Sequence, residues 1–234
     1  MKTLRMFGMA IVAVLLCTNF AACSDDDDDD SSIMLENGNV LINGHEAVDL
    51  GLSVKWATCN VGASKPEDYG DYYAWGETTT KSDYILKTYK WCKGTSDTMT
   101  KYCTDSDYGK VDNRTTLTSS DDVATVKWGS KWRMPTKEEM KELVEDCTWT
   151  WTTQNGVDGM KVTGPNGNSI FLPAAGSRYG TYLDSHGSSN FYWSATLYED
   201  DSYYAYYLGF YYDGDYWLSW NERYYGYPVR PVTE

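Results

Sequence analysis

The chain has 234 residues, with 34 acidic against 20 basic side chains, a net charge of −14, 21 tyrosines and only 2 histidines. Such a balance excludes a nucleic-acid partner, because phosphates are repelled and no basic stripe is present. The two histidines and the lack of a C-x-x-C pair argue against structural zinc, and the length suits one domain with a sizeable core.

Lys2 and Arg5 precede an apolar run from Met6 to about Leu16, which has the form of a secretory signal. The run is too short to cross a hydrocarbon core of about 30 Å as a helix. Cys23 follows Ala21 and Ala22 and resembles the lipidated cysteine of a bacterial lipobox, which makes residues 1–22 the leader. An ordinary signal cleavage is the alternative. Asp25–Asp30 repel one another and cannot bury anything, so residues 23–32 read as a lipidated cysteine and a solvated tether. An acidic segment directly after such a cysteine resembles the export signal of Bacteroidetes surface lipoproteins. That resemblance implies a lipid anchor in the outer membrane and a domain, residues 33–234, facing outward.

Asn43-Gly44 lies between two strand-like runs and predicts a tight hairpin. "VKWATCNVGA" predicts a further strand with Ala57, Cys59 and Val61 on one face, and Trp75-Gly76-Glu77 reads as a packed turn. Residues 82–122 are rich in Thr, Ser, Asp and Lys without periodicity. They predict a long insertion laid on the surface, with a small hairpin. The polar segment between Cys92 and Cys103 suits a disulfide between those two in an oxidising envelope, with Cys59 and Cys147 paired or simply buried.

The clearest helix is "MPTKEEMKELVEDC". Thr136 and Glu139 make a capping box, and Met140, Leu143 and Val144 recur at core spacing. Glu138 and Glu139 complement the helix dipole, a reading preferred over acid–base chemistry. Downstream, short strands alternate with Asn-Gly, Asp-Gly and Pro-Asn-Gly turns, so the expected fold class is α+β, mostly β after residue 147.

Most of the tyrosines lie between Ser177 and Tyr227. Alternation in "AYYLGFYY" places Tyr206, Leu208, Phe210 and Tyr212 on one strand face, read as the core side, and Ala205, Tyr207, Gly209 and Tyr211 on an outward face. Asp213-Gly214 predicts the turn into a return strand carrying Tyr216, Leu218 and Trp220.

"VDLGLSVKWATCNVGA", "YGDYYAWGE", "WGSKWRMPTKEEMKEL", "NGNSIFLPAAGSR", "YWSATL" and "GYPVRPV" together resemble the Fibrobacter major paralogous domain of envelope lipoproteins. The resemblance covers nearly all of the mature chain. It implies a C-type lectin-like fold, of the branch shared with formylglycine-generating enzyme and with the variable proteins of diversity-generating retroelements. No cysteine follows Cys147, so the enzyme chemistry of that branch has no nucleophile here. The calcium-lectin motifs are also missing, apart from a partial echo at Trp220–Glu222. Asp184, Ser185 and His186 adjoin in one loop and do not make a hydrolytic triad, since neighbours on a loop rarely converge.

The expected activity is therefore binding or adhesion rather than catalysis. Tyrosines with small polar residues make a paratope-like surface: large contact area with few rotatable bonds, and adaptable hydrogen bonds. The candidate contacts are Tyr179, Tyr182, Asp184, His186, Tyr198, Asp200, Asp201, Tyr203, Tyr211, Asp213, Asp215, Tyr216, Trp217 and Asn221. The partner is a protein or glycan at the cell surface. No cofactor is expected, with calcium at Asp200, Asp201, Asp213 and Asp215 as the minority alternative. A carbohydrate-binding component of a glycan-uptake system and a structural surface or fimbrial component are the competing functions.

Overall fold

The computed structural model describes residues 32–234, so the leader, Cys23 and the acidic tether lie outside the described residues. The described chain opens with strands β1 (Ser32–Met34), β2 (Val40–Ile42), β3 (His45–Asp49) and β4 (Lys55–Ala57). Ile42 pairs with His45 across Asn43-Gly44, whose φ angles of 50° and 81° give the two-residue turn that only such residues adopt easily. The strand expected to run on through Cys59 and Val61 ends at Ala57.

Two α-helices follow. Helix α1 (Val123–Trp128) was not expected; its six residues are too few to show periodicity, and Asp122 caps it by accepting the Thr125 N–H. Helix α2 (Lys137–Asp146) begins at the expected capping box, and the Glu139 carboxylate also takes a two-point bond from Arg133 at 2.7 and 2.6 Å. The strands β5 (Thr148–Gln154), β6 (Val157–Thr163) and β7 (Ser169–Pro173) form a meander. Asn155-Gly156 turns it as expected, but Asp158-Gly159 lies inside β6 and is no turn. Gly159 is there for space: an added Cβ would sit 2.8 Å from the Phe171 ring.

A small hairpin, β8 (Ser177–Tyr179) and β9 (Tyr182–Asp184), leads into a three-stranded antiparallel sheet of β10 (Ser189–Leu197), β11 (Tyr204–Tyr211) and β12 (Tyr216–Glu222). Strand β13 (Val232–Thr233) then pairs with β4, completing a five-stranded sheet in the order β1-β2-β3-β4-β13. The described chain is α+β, as expected.

The β10–β12 sheet is covered on both sides, which corrects the expected outward face of β11. Tyr192, Leu208 and Phe210 pack on Met140 and Leu143 of α2 and on Met160 and Leu172 of the meander. Trp193, Ala195 and Ala205 back onto Trp75, Trp132 and Tyr227, with Tyr207 packed against them. Conversely Tyr212, assigned to the core face, is 66% exposed because the strand has ended.

The 82–122 segment is not merely laid on the surface. It buries Tyr84, Tyr89, Met99 and Cys103 against Tyr72, Ala74 and Ala175. Buried tyrosines keep their hydroxyls paired to backbone: Tyr84 donates to Tyr72 O at 2.6 Å, Tyr89 to Trp75 O at 2.8 Å and Tyr72 to Ala175 O at 2.5 Å. Trp75 is fully buried and donates to Ser194 O, as befits the packed turn expected there.

The expected Cys92–Cys103 disulfide is not formed; Cys59, Cys92, Cys103 and Cys147 are all free thiols. The small hairpin bridges Cys92 to Met99 instead. Cys92 and Cys103 turn instead to nearby carbonyls, Thr95 O and Asp105 O, both at 3.0 Å.

Candidate functional site

The predicted contacts fall on the two ends of the β10–β12 sheet and on the hairpin beside it. At one end, Tyr212 N–H donates to Ser188 O at 2.9 Å, which sets the loop carrying Asp184 and His186 beside the β11–β12 turn. Tyr211, Asp213 and Asp215 are exposed in that turn, where Asp213 accepts the Asp215 N–H at 3.3 Å. Ser185 Oγ donates to Asp184 at 3.1 Å, within the loop. Trp217 lies over Gly209, where a Cβ would meet its ring at 2.8 Å, and donates to the Tyr207 hydroxyl at 3.3 Å.

Tyr216 departs from its assignment as a contact. Its ring stacks on Trp149 at 4.7 Å and 12°, closing the core beneath the meander.

At the opposite end, Asp200 and Asp201 sit in the β10–β11 connection. Asp201 accepts the Tyr203 N–H at 2.9 Å and the Tyr108 hydroxyl, whose pKa this bond raises. Tyr203 is half-buried against Tyr224, and Asn221 donates to the Tyr227 hydroxyl. Tyr198 lies flat on Trp220 at 4.4 Å and 2°. The two aspartate pairs are thus separated by the whole of β11, eight residues, or about 24 Å at the usual strand rise. No single calcium ion spans that distance, so the four-aspartate set is corrected to two separate pairs.

Tyr179 and Tyr182 face one another across the β8–β9 hairpin, and Tyr182 is 75% exposed. Tyr179 stacks on Tyr225 at 5.0 Å. Tyr225 opens a connected series of rings: Tyr227 at 6.1 Å, then Phe191 at 5.3 Å, Tyr211 at 6.4 Å and Trp217 at 4.7 Å. The hairpin and the β11–β12 turn are joined by this aromatic strip, although they are far apart in sequence.

Half-buried Phe191, Tyr224, Tyr225 and Glu222 adjoin these rings and were not among the predicted contacts; nor was Tyr207, which alternation puts on the outward face of β11 but which packs on the core. The doublet Tyr224-Tyr225 was visible in the sequence, but only its turn beside Glu222 makes it part of the face. Burial first, and then the Glu222 carboxylate, push the Tyr225 hydroxyl up to about 12. The closing segment beyond it is scaffold as expected: Tyr227, Val229 and Arg230 are buried.

Clefts lie elsewhere. One of about 390 Å³ is lined by Thr58, Pro66, Thr152, Gln154, Lys161 and Phe171, and one of about 400 Å³ by His45, Cys59 and Trp128 among others.

The fold and surface define an α+β domain with an aromatic strip across its C-terminal sheet. A family described as a domain of unknown function, DUF8237, matches residues 146–232, a span that contains every predicted contact. No curated protein and no solved structure matches the chain. Among the described residues, no helix is long and apolar enough to cross a membrane.

Proposed function

We propose that the chain is a surface lipoprotein of the Fibrobacter major paralogous type, with a C-type lectin-like domain that binds a ligand through its tyrosine-rich C-terminal face. The observation that carries this reading is the ring series from Tyr179 to Trp217, in which Tyr179 at one end and Tyr211 near the other are exposed. Rings already packed on one another lose little freedom on binding and offer contact area at low entropic cost. A protein partner at the cell surface fits such a strip, and no catalytic role is assigned. Adhesion is the consequence for a domain tethered to the outer membrane. The composition is also reachable by adenine-directed mutagenesis of the kind retroelements perform, and a template repeat in the neighbouring DNA tests that part.

The test replaces Tyr179, Tyr182 and Tyr211 together by Ser in the full chain. Binding of the displayed protein to candidate envelope proteins and host surfaces is lost, while the melting temperature is unchanged. Unaltered binding by the triple variant sinks the reading, and an equal loss of stability moves it to a structural component. Protease treatment of intact cells tests the location separately.

A second reading rests on the coplanar Tyr198–Trp220 pair, in which Trp220 is 46% exposed. Flat paired rings suit a sugar face. Glycan binding abolished by Trp220→Ala, with the triple tyrosine variant unaffected, selects that reading over the first.

A further inference from the structure

The two edges of the β10–β12 sheet differ in how their backbone is used. Along β10 the outer groups are taken: Gly176 N–H donates to Ser189 O at 2.8 Å, Leu117 N–H to Ala195 O at 3.0 Å and Leu197 N–H to Thr115 O at 2.8 Å. Strand β12 forms the other edge. It pairs with β11 without a shift through all seven of its residues, Tyr216 to Glu222. The bonds from Tyr211 N–H to Asp215 O and from Arg223 N–H to Tyr203 O set the phase of that ladder. Alternation then turns the N–H and C=O of Trp217, Ser219 and Asn221 towards β11, and those of Tyr216, Leu218 and Trp220 away from it. Among the described residues, nothing bonds these outward groups.

An open edge is a template for a further strand, and natural sheets blunt it with lysine, proline or a bulge. Strand β12 reads Tyr-Trp-Leu-Ser-Trp-Asn-Glu and carries none of these. Charge marks what fits beside it. Residues Tyr216 to Asn221 are neutral, with exposed Asp213 and Asp215 before them and half-buried Glu222 after. A second copy, paired antiparallel about Ser219, sets each Glu222 opposite the other's Tyr216 and next to its Asp215. Like charges then meet at both ends, in a chain of net charge −14. An extended segment with a basic residue at each end meets opposite charge at both instead. Residues 215 to 222 span roughly 23 Å at the usual strand rise, which sets the spacing of those two residues.

We propose that the open edge of β12 binds an extended segment of a protein partner as an added strand, neutral in its middle and basic at both ends. Main-chain bonds supply the affinity in such an arrangement, and the flanking charges select among segments. The same strand carries Trp217, whose ring packs on Tyr211 in the aromatic strip. This rests on the ligand-binding reading above and names how the partner is held.

The test uses the full chain and a blocked eight-residue peptide, alternating Thr and Val between two terminal Lys. Amide hydrogen exchange is followed by NMR in dilute solution. In the free chain the Tyr216, Leu218 and Trp220 amides exchange at least about tenfold faster than those of Trp217, Ser219 and Asn221, and the peptide slows them. Slow exchange of all six without peptide shows a closed edge and overturns the proposal. N-methylation of one alternate set of peptide amides abolishes binding, and of the other set leaves it. Equal effects of the two sets overturn backbone pairing. A Glu-ended peptide binds about tenfold more weakly at low salt, and Asp215→Asn with Glu222→Gln removes that difference. Equal binding of both peptides to the unsubstituted chain overturns the choice of basic ends. A dimer that forms as concentration rises, and protects the three outward amides, gives the edge to a second copy and overturns the choice of partner. If the peptide is silent while the triple tyrosine variant still loses macromolecular binding, the added-strand inference alone has failed. If the peptide binds but that variant keeps its partner, the wider reading has failed instead.

Discussion

Arg230 donates through Nε to Oδ1 of Asn60 at 2.8 Å, deep in the interior, and its remaining bonds go to the carbonyls of Ala57, Thr58 and Phe171. No carboxylate shares the site among the described residues. A buried guanidinium here acts as a fork that ties the end of β4 to β7, its charge solvated by neutral oxygens. Removing it orphans all of these acceptors together. Arg230→Met is expected to lower unfolding stability by roughly 3–5 kcal/mol in urea titrations. Arg230→Lys recovers only part, since an ammonium cannot span the fork. Equal midpoints for Arg230→Met and the parent chain refute this account.

His45 stacks on Trp128 at 3.7 Å and 9°, and partial burial lowers its pKa below the ordinary 6.5. The unfolded chain therefore takes up this proton at higher pH than the folded one, so acid favours unfolding. The contribution is complete above 6.5 and is lost as pH falls from there towards the folded value. His45→Phe keeps the stacking and flattens that part of the profile. Melting temperatures at pH 7.5 and pH 5 are the measurement, and an unchanged pH slope in the variant would falsify it.

The thiols make a chemical prediction. Unfolded without reductant, the chain yields Cys59, Cys92, Cys103 and Cys147 to an alkylating reagent. In the native state Cys147 reacts slowly, because burial first, and then Asp146 and Glu142, push its pKa up to about 11. Buried Cys103 is slow for lack of access. A Cys92–Cys103 linked peptide in a non-reducing digest contradicts the assignment.

Gly209 controls one end of the aromatic strip. Alanine there meets the Trp217 ring at 2.8 Å and Tyr207 at 3.0 Å. Gly209→Ala is expected to push Trp217 off β11, change its fluorescence, and cost about 1–3 kcal/mol in stability. Ligand binding falls with the displaced ring. A variant with parental fluorescence and binding shows that Trp217 is not held by this contact.

Local chemistry was legible wherever one stretch of chain carried it. Asn43-Gly44 announced its hairpin, Thr136 and Glu139 their capping box, and Trp75 its buried turn. What lay hidden was set by residues distant in sequence. Alternation separated the two faces of β11, but not the fact that Ala205 and Tyr207 meet Trp193 and Tyr227. The 82–122 segment gave no period because its tyrosines are held singly, by hydroxyl bonds to backbone, rather than along one element face. Among the site residues, Tyr182, Tyr211 and Asp213 are exposed as composition suggested, whereas Tyr216 is claimed by Trp149. Tyr224 and Tyr225 stayed hidden as part of the strip because only the turn after β12, closed by the Tyr225 N–H on the Glu222 carbonyl, folds them back beside it.

Strand β1 is joined to the five-stranded sheet by three register pairs to β2, while Ile33 and Met34 are left largely exposed. Both ends of the described chain lie in that sheet, at its opposite edges, but β13 is bonded on both sides, to β4 and to Arg133. Tension arriving through the residues before Ser32 therefore loads the β1–β2 pairing first and opens it one rung at a time. Peeling residues 32–39 releases about 26 Å of slack at the usual extended reach, before any residue of the two main cores is disturbed. The domain is built with a mechanical fuse on its N-terminal side and its aromatic face beyond it.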